Sequence, residues 1–231
     1  MPNYQGVWSL STQYQAKGDN NWPANYVTPI AVNMRANGAN TTNAFTTFNL
    51  SSQGNASNFG DAVINRSQFG RLSSVTRGVF AGDSGSYGNT IEYITIASAG
   101  NGTDFGDLTS SYFQFDGASN TTRGLFFVTN QNAITNTIEY ITIASTGNSL
   151  DFGDSIATRR GNAATSSPTR ALEHLGFSGG TVTTVDYVTI ASTGNALDSG
   201  DLPSRDKSQA GAFTSSTNAF LSAEDDVPEE A

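Results

Sequence analysis

The chain has 231 residues, of which 36% are hydrophobic, 10% aromatic and only 13% charged. This composition excludes an intrinsically disordered chain, whose signature is high charge with low hydrophobicity, and the length is sufficient to bury a core. The formal net charge of −9 opposes binding to a nucleic-acid backbone, and the absence of cysteine excludes disulfides, thiolate metal sites and cysteine nucleophiles.

Residues 1–39 are predicted to form an N-terminal attachment segment. The first residues lack the basic start and apolar run of a secretory signal, and no apolar stretch of membrane-spanning length follows anywhere in the sequence. We therefore expect a protein that is made soluble and has no membrane partner.

The N-terminal segment contains both tryptophans of the chain, Trp8 and Trp22. Residues 9–17 could form one short helix with a serine cap and with Gly18 as its stop. Trp8 and Trp22 are candidates for docking on a partner. The alternative is that they close the core at the end of the array that follows, since tryptophan is usually buried.

A tandem repeat of 46 or 47 residues fills residues 40–222. Its anchor is a Gly-Asp step, and a Gly-Asn pair precedes each step by six residues. The steps are Gly60-Asp61, Gly106-Asp107, Gly153-Asp154 and Gly200-Asp201. This regularity indicates four copies of one structural unit, and the many Gly, Asn, Ser and Thr residues are typical of short strands joined by turns.

The strongest strand signal precedes each Gly-Asn pair. It is the stretch Thr90-Ile91-Glu92-Tyr93-Ile94-Thr95, repeated closely from Thr137 and from Thr184, while the copy from Ala44 is degenerate. Alternate side chains share one face, and both faces carry bulky residues. We expect this strand to lie in the interior of a sheet.

A second short buried strand is predicted in each unit, and in three of the four copies it contains a recurring arginine. The arginines are Arg77, Arg123 and Arg170, each in a Thr-Arg-Gly or Thr-Arg-Ala sequence. An Asp-to-Arg pair repeated in each unit would lock neighbouring units together. The rival interpretation is a ring of arginines that binds an anionic glycan or partner.

The order of these elements resembles the kelch repeat. Gly179-Gly180 precedes the acidic-aromatic strand at Val185-Asp186-Tyr187, and in the preceding unit Phe152 is followed by Arg159-Arg160. The resemblance implies an all-β, kelch-like β-propeller with three or four strands per unit. Four blades are expected from the repeats, or five if residues 24–40 contribute to another blade.

A more specific resemblance is to repeat proteins of tailed bacteriophages of marine bacteria. It rests on the segment from Thr137 to Asn148 with Asp151 to Asp154, and on the segment from Gly6 to Pro23. The resemblance implies a virion component: a tail fibre, a tail accessory protein or a head-surface decoration. Its partners would be other virion proteins and further copies of the chain, and its location the virion.

The Gly-Asn and Gly-Asp steps bring together the one recurring cluster of oxygen ligands. The cluster members are Asn101, Asp104 and Asp107; Asn148, Asp151 and Asp154; and Asn195, Asp198 and Asp201. Calcium is conceivable, but the spacing differs from the EF-hand loop. We expect a structural role instead, with side chains closing Asx-turns on their own backbone and with no bound metal or cofactor.

No catalytic motif stands out, because His174 is the only histidine and no nucleophile elbow or phosphate loop is present. We therefore expect a protein that is not an enzyme. Two alternatives stay open: a propeller that binds a host surface glycan, and an Asp-dependent glycosidase, for which carboxylates alone suffice. Residues 223–231 form an acidic tail, either solvated or docked on a basic surface.

Overall fold

The computed structural model describes residues 30–34, 43–85, 88–130, 134–202, 210–214 and 219–223. Within these ranges all regular elements are β-strands and all paired strands are antiparallel, which confirms the expected all-β class. Since this part of the chain contains no helix, it has none that could cross a membrane. The helix predicted at residues 9–17, Trp8, Trp22 and the acidic tail from Glu224 onward lie outside the described residues.

Seventeen strands in the described ranges form five sheets. Sheet 1 contains β1 (Ile30–Met34), β2 (Ala44–Asn49) and β3 (Ser57–Asp61). Sheet 2 contains β4 (Gly70–Ser73), β5 (Arg77–Ala81), β6 (Thr90–Thr95) and β7 (Thr103–Asp107). Sheet 3 contains β8 (Asp116–Ser119), β9 (Arg123–Phe127), β10 (Thr137–Thr142) and β11 (Leu150–Asp154). Sheet 4 contains β12 (Ala163–Ser166), β13 (Arg170–His174), β14 (Thr184–Thr189) and β15 (Leu197–Asp201), and sheet 5 contains β16 (Ala210–Thr214) and β17 (Ala219–Ala223).

Sheets 2, 3 and 4 repeat one four-stranded meander in which neighbouring strands in sequence are paired. The third strand of each sheet is interior, as its two bulky faces predicted, and the arginine-containing second strand is also confirmed. In the part of the chain that the structure describes, sheet 1 is the same unit without a first strand, and Ala44 pairs with Asp61 as Thr90 pairs with Asp107. Sheet 5 has the first and second strands of the unit.

The sheets are stacked, so the third strand buries side chains on both of its faces. On β6, Ile94 belongs to the core between sheets 1 and 2, whereas Ile91 belongs to the core between sheets 2 and 3. A third core lies between sheets 3 and 4 and includes Phe152 and Val188. Each unit therefore depends on its neighbours to cover its two apolar faces.

The first strands of successive sheets lie side by side, with β4 against β8, β8 against β12 and β12 against β16. A left-handed corner precedes three of them, at Gln68 (φ 56°), Gln114 (φ 60°) and Gly161 (φ 64°). These corners are joined in series, because the N–H of Gln114 donates to the Gln68 carbonyl at 2.6 Å and the N–H of Gly161 donates to the Gln114 carbonyl at 2.8 Å. The arrangement is compatible with a β-propeller-like repeat fold.

Candidate functional site

In the last three Gly-Asn pairs the Asn reaches back to the Gly-Asp step of the preceding unit. Asn101 Oδ1 accepts from the backbone N–H of Asp61 at 3.0 Å, and Asn148 Oδ1 accepts from that of Asp107 at 3.0 Å. Asn195 Oδ1 makes the same contact with Asp154 at 3.1 Å. We call this contact the junction clasp. It replaces the expected Asx-turns, because these Asn side chains bond to a neighbouring unit instead of their own loop.

The glycine of the Gly-Asp step is required by the same contact. A Cβ atom on Gly106 would lie 2.4 Å from the Gly147 carbonyl oxygen, and one on Gly153 would lie 2.5 Å from that of Gly194. Both glycines also have positive φ, 146° and 144°. The outer strand of one sheet can therefore meet the loop of the next only where a side chain is missing.

The aspartates of the repeat lie on the exposed surface of the outer strands. The exposed set comprises Asp104, Asp107, Asp151, Asp154, Asp198 and Asp201. Asp198 Oδ1 does accept from the N–H of Gly200 at 2.7 Å, the Asx-turn geometry that was expected more widely. Among the described residues no three His, Cys, Asp or Glu side chains are grouped as a metal site would need.

Arg77, Arg123 and Arg170 each lie over the ring of a tyrosine on the neighbouring third strand. The guanidinium carbons are 4.2, 4.6 and 4.5 Å from the ring centroids of Tyr93, Tyr140 and Tyr187. Arg77 also donates to the Ile143 carbonyl of the next unit at 2.7 Å, and Arg123 to that of Ile190 at 2.8 Å. The contact between units thus uses a backbone carbonyl in place of the expected aspartate.

Sequence reasoning missed a buried ion pair at the junction of sheets 1 and 2. Arg66 Nε lies 2.6 Å from Glu92 Oε1, and both side chains are fully buried. Glu92 Oε2 accepts from the N–H of Val63 at 2.7 Å, and Arg66 donates to the carbonyls of Gly82 and Thr90. Burial lowers the pKa of Arg66, and the Glu92 charge opposes that change. The pair fixes the connection between the two sheets to the third strand of sheet 2.

Tyr112 occupies the place of Arg66 at the next junction. Glu139, equivalent to Glu92, is fully buried and accepts hydrogen bonds from Thr109 and Ser149. Burial is the main cause of the raised pKa of Tyr112, and the nearby Glu139 adds to it. A neutral phenol therefore replaces a guanidinium, and hydroxyl donors satisfy the carboxylate.

The junction of sheets 3 and 4 contains a buried polar cluster. Arg159 Nη2 lies 2.9 Å from Asp186 Oδ2, and its Nε lies 3.7 Å from Glu173 Oε2. Ser155 and Asn162 donate to Glu173. Burial raises the pKa of Glu173, and Arg159 acts in the opposite direction. The cluster places two carboxylates around one guanidinium.

His174 follows Glu173 on the same strand and is 1% exposed. Within the described residues neither of its ring nitrogens has a hydrogen-bond partner. Burial, with a smaller contribution from the Arg159 charge, lowers its pKa from 6.5 to about 4. The imidazole is therefore held neutral at ordinary pH. Because the ring is buried, a substrate approaching from solvent would not reach it.

The buried pairs had a weak sequence signal. An arginine follows the Gly-Asp step by five residues at Arg66 and Arg159, but Tyr112 interrupts the series. In the sequence, the acidic partner Glu92 occupies what looks like an ordinary polar position of an alternating strand. Only the stacking of sheets shows that this position faces a neighbouring unit.

A cavity of 430 Å³ is lined by residues from all five sheets. They include Val32, Leu72, Gly117, Ala164 and Ala212, one from each sheet. Its polar lining includes Arg71 and Asp116, and Asp116 Oδ2 accepts from the N–H of Ala164 at 3.1 Å. The pKa of Asp116 is raised, mainly by burial. Hydrogen bonds from the backbone and the Arg71 charge act in the opposite direction.

Among known protein families none matches the sequence, and no curated protein is significantly similar to it. The junction clasps, the stacked arginines and the buried pairs engage the recurring Asn, Arg and Glu or Asp side chains in contacts between and within units. This arrangement can hold an array rigid. It leaves the exposed outer aspartates, the loops and the cavity as surfaces for recognition.

Proposed function

We propose that this chain is a structural protein of a bacteriophage virion that acts by assembly and multivalent display. It would serve as a tail fibre, a tail accessory protein or a head-surface decoration. The observation that carries the proposal is the junction clasp, which occurs three times at the same place, at Asn101, Asn148 and Asn195. A contact repeated at successive junctions between units stabilises a scaffold.

The proposal excludes catalysis as the main activity. The single histidine is buried and neutral, and the recurring asparagines are engaged in clasps. The exposed aspartates of successive units are each placed on an outer strand, where solvent surrounds their carboxylates. Assembly needs none of these groups to react.

A kelch-like β-propeller is the architecture that we infer for this role. In support, five sheets contribute to one cavity and the first strands of successive sheets lie side by side. This favours five blades over four. β1, the strand within residues 24–40, lies in sheet 1 with the first repeat, so the additional sheet is sheet 5. Propeller rims and loops offer several equivalent positions for weak contacts, and many copies on a particle multiply them.

Partners in this proposal are other virion proteins and further copies of the chain. Trp8 and Trp22 would contribute to docking from the N-terminal segment, and the chain would act in the virion after synthesis in the host cytoplasm. No role for nucleic acid, membrane, metal or cofactor is included.

Mass spectrometry of purified virions tests the proposal. Phage particles would be prepared from the genome that encodes the chain, washed at high salt and digested. We expect peptides of this chain at a fixed ratio to the major capsid protein, and labelling by a specific antibody at the tail or head surface. Recovery of the chain only in the lysate supernatant would contradict a virion role.

Glycan binding is the second candidate function, because the cavity combines Arg71 and Asp116 with apolar residues such as Phe80 and Ile94. Sugars present hydroxyls to polar groups and C–H faces to apolar ones, as such a lining allows. A glycan array with the multimerised protein is the test. Binding that the Asp116→Ala variant loses would support a receptor role. The absence of any signal on the array would contradict that role.

A further inference from the structure

A second hydrogen bond accompanies each junction clasp, and it is made by the residue that follows the Asn. The backbone N–H of that residue donates to the carbonyl of the same aspartate whose N–H the Asn side chain accepts. The three bonds are Gly102 to Asp61 at 2.7 Å, Ser149 to Asp107 at 2.9 Å and Ala196 to Asp154 at 2.8 Å. The main chain of one aspartate therefore holds both the Asn side chain and the next peptide N–H.

The three clasps differ in the residue that follows the Asn. Gly102 follows Asn101, whereas Ser149 and Ala196 follow the other two. In an Asn-Gly pair the backbone nitrogen of the glycine can approach the side-chain amide carbon with little hindrance, because glycine has no Cβ and a wide choice of backbone conformations. The clasp between sheets 1 and 2 therefore contains the chemically most labile of the three asparagines.

The buried ion pair of this junction explains why glycine stands at position 102. A Cβ atom on Gly102 would lie 2.6 Å from Glu92 Oε2. That oxygen accepts from the N–H of Val63, and the other carboxylate oxygen is paired with Arg66. A side chain at position 102 would have to displace a carboxylate that is fixed and fully buried. The packing of the ion pair thus keeps the labile dipeptide in the clasp.

We propose that Asn101 is a site of spontaneous deamidation, controlled by opening of the junction between sheets 1 and 2. The Gly102 nitrogen attacks Cγ of Asn101. The new N–Cγ bond closes a cyclic imide as the Cγ–Nδ2 bond breaks, and the proton of the Gly102 N–H leaves with the amide nitrogen as ammonia. Water then opens the imide at either carbonyl and produces aspartate or isoaspartate at position 101.

The closed clasp opposes this reaction at both reacting groups. The Gly102 nitrogen must lose its proton to attack, and the hydrogen bond to the Asp61 carbonyl stabilises the protonated form. The amide of Asn101 is held at its oxygen by the N–H of Asp61 at 3.0 Å. Because Asn101 is exposed, water reaches it, but the attack requires a local opening that releases both bonds.

The products weaken the junction in different ways. Isoaspartate lengthens the main chain by one methylene group between the side-chain acceptor and the Gly102 N–H, so the two bonds to Asp61 no longer fit together. Aspartate keeps an acceptor but adds a negative charge to a chain whose net charge is already −9. The clasp of sheets 1 and 2 would thus be lost with age while the other two persist. This inference goes beyond the proposed virion role and does not depend on it.

Peptide mass spectrometry of the full chain, incubated at mildly alkaline pH with and without urea, tests the proposal. In the folded chain we expect aspartate and isoaspartate to accumulate at Asn101, while Asn148 and Asn195 remain intact as internal controls. In urea Asn101 should react at least about tenfold faster, because only the open fraction of a protected site reacts in the folded state. The second Asn-Gly pair of the sequence, Asn37-Gly38, gives the reference rate in urea.

Two matched sets of variants separate the clasp from the dipeptide. Glu92→Gln weakens the junction of sheets 1 and 2 and should accelerate deamidation of Asn101 severalfold, whereas Glu139→Gln at the next junction should not. Ala196→Gly, which makes a mild change, should render Asn195 labile in the folded chain and protected relative to urea. Circular dichroism verifies that each variant is folded, and Ala196→Gly decides the matter if Glu92→Gln is not.

Three results would overturn the proposal. The first is equal rates at Asn101 with and without urea, which would show that the clasp does not control the reaction. The second is an intact Asn101 in the folded chain after the urea sample has fully reacted. The third is an Ala196→Gly variant whose Asn195 is no more labile than in the wild-type protein.

Discussion

The Oδ1 atom of Asn148 accepts a hydrogen bond at 3.0 Å from the backbone N–H of Asp107, 41 residues earlier and in the preceding unit. The acceptor of this hydrogen bond is a side-chain atom, and its donor is a main-chain N–H. The identity of residue 148 therefore matters to the junction, whereas the carboxylate of residue 107 does not take part in this bond.

Asn148→Ala should lower the free energy of unfolding by about 1 kcal/mol, the typical net value of one such hydrogen bond. Urea denaturation monitored by circular dichroism measures it. Asp107→Asn is the matched control and should change stability by less than about 0.5 kcal/mol, because it keeps the N–H and lies at the exposed surface. A larger loss for Asp107→Asn would point to a role for the carboxylate.

Gly153→Val should destabilise the fold by about 2 kcal/mol or more. The new Cβ would meet the Gly194 carbonyl oxygen at 2.5 Å, and the backbone φ of 144° is unfavourable for a branched residue. Thermal unfolding checks the loss. Gly100→Ala serves as control, since a Cβ there has no atom within 4 Å, and equal losses in the two variants would argue against the close approach.

Glu92→Gln should cost about 3 to 5 kcal/mol, because it leaves the buried Arg66 guanidinium without its counter-charge. Chemical denaturation of the purified variant measures the change. The double variant Arg66→Met with Glu92→Gln should recover part of the loss, because it removes the unpaired charge. If the double variant is less stable than the sum of the single changes, the ion pair is not the source of the effect.

His174→Phe should stabilise the protein at neutral pH by about 1 to 2 kcal/mol, because the ring nitrogens have no partner within the described residues and Phe127 fills the equivalent position of sheet 3. The comparison is made by urea denaturation at neutral pH. A less stable variant would indicate that the site is shaped for imidazole alone.

The acid sensitivity of the wild-type protein and of the His174→Phe variant should also differ. The folded-state pKa of His174, about 4, lies below its ordinary value of 6.5, so the unfolded chain binds the proton first as pH falls. Wild-type stability should therefore drop relative to His174→Phe between about pH 6.5 and 4, by about 3 kcal/mol in total. Glu173, whose pKa is raised by burial, has the opposite trend, but it is present in both proteins and cancels in the comparison. Parallel stability profiles would contradict a buried neutral His174.

The strands were predictable because their signal is local. Ile91 and Tyr93 share one face of the stretch, and Glu92 and Ile94 share the other, so both faces carry a bulky apolar side chain. This pattern favours an interior strand, and β6 is interior. The partner of Asn101 was not predictable, since the repeat makes all Asp positions equivalent and does not say which unit a loop contacts. Arg66 and Glu92 escaped notice for the same reason, as their contact depends on how two sheets stack.

The units of sheets 2 and 3 each carry both halves of the clasp, an Asn that reaches back and a Gly-Asp step that receives the next loop. A unit copied or lost as a single cassette of 46 or 47 residues would therefore restore a matching contact on either side without any other change. Gene duplication and recombination could then vary the exposed loops and the number of units while the junctions stayed the same. Such an array can diverge in its loops without a compensating change at its junctions.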